Sequence, residues 1–86
     1  MVNLENDKKI RALEEKITEK PEAQFLIGFK GRSLPATFSE SYEETADDGN
    51  KYMVLNFWDG NTGNLFDVDY RLVPEEVYMD GQLLVF

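Results

Sequence analysis

The sequence predicts an α+β fold: one N-terminal helix packed on a twisted antiparallel sheet of five or six strands, able to curl into a small open barrel. Three observations carry that prediction. All eleven aromatic residues lie at Phe25 or later. Apolar residues recur at helical spacing before Pro21 and at alternate positions after Ala23. A single helical segment ahead of a run of strands does not fit the βαβ order of a parallel sheet. The chain has 86 residues, 42% of them hydrophobic, which makes one domain over 1–86, with helix over about 4–20 and antiparallel strands over about 24–86.

Asn3 or Asn6 suits a helix N-cap, and Pro21 biases Lys20 away from the α region and stops the helix. Ile10, Leu13 and Ile17 share one narrow stripe. Glu5 with Lys9, Asp7 with Arg11, and Arg11 with Glu15 stand four residues apart and can pair along the surface. An isolated helix of this length is marginal in water, so the stripe has to dock. Its partner is the chain's own sheet or, as the alternative reading, a second copy in a homodimer.

Phe25, Ile27 and Phe29 alternate with Gln24, Leu26 and Gly28, and Gly31 permits a reversal into a second strand over Leu34–Phe38. Pro35 has no amide donor, which predicts an edge position or a short strand there. Glu40–Asn50 holds five acids and no base and ends in Asp48, Gly49 and Asn50, so it reads as an exposed loop. Lys51–Trp58 and Leu65–Leu72 are the strongest strands. Setting Phe57 opposite Phe66 aligns Leu55 with Val68 and Met53 with Tyr70 on one apolar face. The other face then carries Tyr52 beside Arg71, Val54 beside Asp69, Asn56 beside Asp67 and Trp58 beside Leu65. Asp80-Gly81 marks a type I′ hairpin between Val77–Met79 and Gln82–Phe86, whose apolar end predicts a terminus tied into the sheet on both faces.

Composition removes most chemistry. There is no histidine and no cysteine, which takes away the commonest general base, thiolate catalysis and the usual zinc ligands. Asp59, Asn61 and Gly63 resemble the opening of a calcium loop, but Gly63, Asn64 and Tyr70 stand where that loop needs a ligand, a glycine and a bidentate glutamate. No enzyme, cofactor or metal is expected. Nine basic against seventeen acidic residues give a net charge of −8, and residues 23–86 hold eleven of the acids but only four of the bases. Such a surface repels nucleic acid, so no direct nucleic-acid binding is expected. Nothing at the N-terminus reads as a leader and no stretch is long enough to span a membrane, which predicts a cytoplasmic protein with no membrane partner.

The candidate site is therefore a docking surface for a protein with a basic face. It has two parts: the mixed face of Tyr52, Asn56, Trp58, Asp67, Asp69 and Arg71, and the acidic segment of Glu40, Glu43, Glu44, Asp47 and Asp48. Large rings flanked by charge commonly anchor interfaces. Asp67 and Asp69, two apart on one strand face, begin an acidic array that a phosphate-binding groove would accept. In size and charge alone the chain is similar to small acidic proteins of phages and mobile elements, some of which occupy the nucleic-acid site of a host enzyme. The expected function is a non-enzymatic acidic protein-binding module of that inhibitory kind. The alternative is a self-associating accessory protein that dimerises through its helix.

Overall fold

The computed structural model describes all 86 residues. α1 (Leu4–Glu19) starts where the Asn3 side chain accepts a hydrogen bond from the Asn6 amide at 3.1 Å. It ends at Lys20, whose amide donates to the Ile17 carbonyl just before Pro21. Six strands follow: β1 (Gln24–Phe29), β2 (Arg32–Thr45), β3 (Lys51–Asp59), β4 (Leu65–Val68), β5 (Glu76–Met79) and β6 (Gln82–Leu83). They form one antiparallel sheet in the order β4-β3-β2-β1-β5-β6, which stays open and does not close into a barrel.

The helix covers one face of this sheet. Ile10, Leu13 and Ile17 are fully buried against Phe25, Ile27, Ala36, Leu55, Phe57, Val68 and Val77. The Phe57 ring sits among Phe25, Phe38 and Phe66, with centroids 5.6–5.9 Å apart. Burying each such side chain contributes about 1.5–3 kcal/mol. The helical stripe is thus spent inside the chain's own core and is not free to form a homodimer seam.

Polar groups fix the helix on the sheet. β4 ends at Val68, so Met53 of β3 has no neighbouring strand on that side. The buried Asp7 carboxylate takes that place: Oδ1 accepts the Met53 amide at 2.8 Å, and Oδ2 accepts Arg11 Nε at 2.7 Å. Asn6 Nδ2 donates to the Tyr70 carbonyl at 3.1 Å, and Arg11 reaches Glu43 at 2.9 Å.

Several elements differ from the sequence reading. β2 is neither short nor at an edge; it runs for 14 residues between β1 and β3. Pro35 is tolerated because its carbonyl, and hence its nitrogen, points toward β3 just past the last rung between Ala36 and Asp59. There it accepts the Gly60 amide at 2.8 Å, and only the reciprocal bond is missing. The segment read as a loop over 40–50 is strand as far as Thr45, with only the tight turn before Lys51 outside the ladder. A β-bulge between Phe38 and Glu40 hid it, because the extra residue reverses the alternation of inward and outward side chains.

The expected register of β3 and β4 is present, with Phe57 opposite Phe66, Leu55 opposite Val68, Asn56 opposite Asp67 and Trp58 opposite Leu65. The chain turns at Asp69, so β4 stops at Val68 and not at Leu72, and Met53 with Tyr70, Val54 with Asp69 and Tyr52 with Arg71 do not pair in the ladder. Asp80 and Gly81 have φ of 50° and 84° and link β5 to β6 as their sequence indicates. The terminus is held on one side only: Leu84 and Phe86 pack against the core, whereas Leu83 and Val85 are exposed. No helix is long and apolar enough to cross a membrane.

Candidate functional site

The sheet face away from α1 is open from Trp58 across to β6, but it is covered over the start of β3, where the turn at residues 69–71 lies on Tyr52 and Val54 is buried. Cross-strand pairing places two rows of side chains side by side on it: Leu65, Trp58, Thr37 and Gln24 in one, Pro35, Leu26, Tyr78 and Leu83 in the next. The large apolar members of this band are well exposed, with Trp58 at 44%, Leu65 at 49%, Leu26 at 40% and Leu83 at 54%. Monomeric proteins rarely leave such residues contiguous without a use for them.

Acids border the band. Glu40, Tyr42 and Glu44 of β2 lie opposite Asn56, Val54 and Tyr52 of β3, and Asp67 of β4 lies beyond Asn56. The Tyr42 hydroxyl is pushed above its ordinary value, first by burial and then by Asp67, Glu44, Glu40 and Tyr52 around it. Carboxylates thus surround Tyr42 at this corner, with the Arg71 guanidinium beside Tyr52. None of the strand residues on this face is Lys or Arg.

The structure brings together only some of the residues singled out from sequence. Tyr52, Asn56, Trp58 and Asp67 point to this one face, but Asn56 is buried and its Nδ2 donates to Asp67 at 2.6 Å, which leaves Trp58 and Asp67 as the exposed members. Asp69 is not a second free acid. It is 5% exposed, and its carboxylate accepts Arg71 Nη2 at 2.5 Å, Arg71 Nε at 3.1 Å and the Arg71 amide at 2.9 Å. The Arg71 guanidinium also lies 5.5 Å from the Tyr52 ring and 5.6 Å from the Tyr70 ring. These two rings meet edge to face at 5.0 Å, so Asp69, Tyr70 and Arg71 form a self-satisfied lid over the far end of β3.

The acidic segment is divided in the same way. Glu40 and Glu44 join the uncovered face. Glu43 points to the opposite one and holds Arg11 of the helix. Asp48 closes the turn between β2 and β3, accepting the Asn50 amide at 2.9 Å and the Val2 amide at 3.0 Å, while Asp47 is exposed in that turn. Tyr42, Leu65, Leu26, Pro35 and Tyr78 were missed. The alternation over Gln24–Phe29 already pointed Leu26 outward, and Leu65 was set beside Trp58 by the register. Tyr42 gave no such signal, because the bulge interrupts the alternation that would have placed it. No protein family, curated protein or solved structure matches this chain.

Proposed function

We propose that this protein is a non-enzymatic binding module that docks through its uncovered sheet face on a partner protein presenting basic residues around an apolar contact. The observation that carries this reading is the exposed Trp58, Leu65 and Leu26 band bordered by Glu40, Glu44 and Asp67 on a face without basic strand residues. An aromatic anchor supplies affinity and the surrounding charge selects the partner. A narrower version, an inhibitor that takes the place of nucleic acid, rests on the same three acids, since Asp69, Glu43 and Asp48 already have partners within the chain.

The test is retention of a partner from the native host by the wild-type chain and by Trp58→Ala, with thermal melts of both. Loss of about 2 kcal/mol or more of binding with a nearly unchanged melt is the expected result. Full retention by a folded Trp58→Ala removes this face as the site. Displacement of the recovered partner by duplex DNA decides the narrower version.

A further inference from the structure

β4 is a terminal strand of the sheet, and its outer side has no neighbour. The direction of its free groups follows from the ladder. The Asn64 carbonyl accepts the Asp59 amide at 2.8 Å, so Asn64, Phe66 and Val68 turn their backbone groups toward β3. The amides and carbonyls of Leu65 and Asp67 therefore point outward. Touching this strand is a cavity of about 310 Å³ lined by Phe29, Arg32, Leu34, Asp59, Phe66, Asp67 and Leu72. Phe66 projects to the helix side, so the cavity opens on that side of the edge strand.

We infer that the partner supplies an extended segment that adds as a seventh strand on β4, with basic and apolar residues in alternation. This rests on the docking face proposed above and extends it to a register. Residues of the added strand opposite Leu65 and Asp67 share the Trp58 face, where Asp67 and Glu40 favour a cation and the Trp58 ring offers a surface to stack on. The residue between them, opposite Phe66, turns to the helix side toward the cavity, where Phe29, Leu34, Phe66 and Leu72 favour an apolar side chain and Arg32 and Asp59 complete the lining. A second copy of this chain is a poor occupant, because each copy carries −8 and self-pairing across β4 brings the two Asp67 side chains close together.

The experiment uses the full chain and two capped peptides of equal composition, Lys-Val-Lys-Val-Lys and Lys-Lys-Lys-Val-Val, with amide hydrogen exchange and Trp58 fluorescence read together. The alternating peptide is expected to bind with a Kd of about 1 mM or tighter and to slow exchange at the Leu65 and Asp67 amides about tenfold or more, with the blocked peptide at least several-fold weaker. Leu65→Pro, which removes an outward donor and leaves the β3 ladder intact, is expected to abolish that protection at Asp67. A change in Trp58 fluorescence without protection of Leu65 and Asp67 overturns the added strand and leaves the docking face standing. No binding of the alternating peptide, or equal binding of both peptides, also overturns it.

Discussion

Asp67 and Asp69 are the same residue type two positions apart, yet one lies on an exposed strand face and the other is locked to Arg71. The difference comes from where β4 ends. Once the chain turns after Val68, the Asp69 carboxylate meets the Arg71 amide and guanidinium instead of solvent. Burial pushes the Asp69 carboxyl up, but the hydrogen bonds from Arg71 outweigh it and hold the group below the ordinary carboxylate range. A carboxyl whose pKa is lowered by folding adds stability above its unfolded value, and that stability is lost as pH falls through the folded value. Asp48 and Asp80 are held low in the same direction, Asp48 by the Asn50 and Val2 amides and Asp80 by Lys20 and the Gln24 amide. The melting temperature is therefore expected to drop on acidification from about pH 5 to about pH 2. Asp69→Asn should flatten part of that drop, and a variant that falls as steeply as the wild type would show that the Arg71 pair contributes nothing.

Between elements, the closest fit is where α1 stands in for the missing end of β4. Asp7 is buried with both oxygens occupied, one by the Met53 amide and one by Arg11. Asp7→Ala leaves the part-buried Met53 amide without an acceptor and Arg11 with Glu43 alone, and is expected to cost about 1–3 kcal/mol in denaturant unfolding. Faster exchange at the Met53 amide should accompany it; an unchanged Met53 rate would mean that water replaces the carboxylate at no cost. This contact also marks the limit of what the sequence reveals. Helix stripe, strand alternation and hairpin turn are local patterns, so α1, β1, β3 and the Asp80-Gly81 link were legible, as was the pairing of Phe57 with Phe66. The bulge after Phe38 is a single extra residue with no compositional mark, and it moves Tyr42 outward and Glu43 toward Arg11. The place where β4 stops is likewise set by tertiary partners, Asp7 for Met53 and Asn6 for Tyr70, which lie 46 and 64 residues away in sequence. For the same reason the sequence sets Trp58 and Asp67 on one strand face, as the ladder has them, whereas it does not place Tyr42 there and gives Asp69 a freedom it lacks.

At the scale of the whole molecule, the net charge of −8 is expected to act on stability and on the proposed docking with opposite sign under added salt. Seventeen acids outnumber nine bases, so an excess of eight negative charges stays unbalanced whatever the pairing, and the four ion pairs engage only Arg11, Lys20 and Arg71 among the bases. Screening shortens the reach of this repulsion to about 10 Å at 0.1 M salt, so the melting temperature at pH 7 is expected to rise as NaCl increases from about 50 mM to about 500 mM. The same screening weakens attraction between the acidic border of the uncovered face and a basic partner. Over that range the Kd for the partner is expected to weaken about tenfold or more, mostly through slower association. The apolar contact made by Trp58 and Leu65 is not screened, so residual binding at high salt should still be sensitive to Trp58→Ala. Melting curves and association rates on one salt series separate the contributions. Binding indifferent to salt, while the melting temperature still rises, would confine recognition to the apolar band and leave Glu40, Glu44 and Asp67 with no part in choosing the partner.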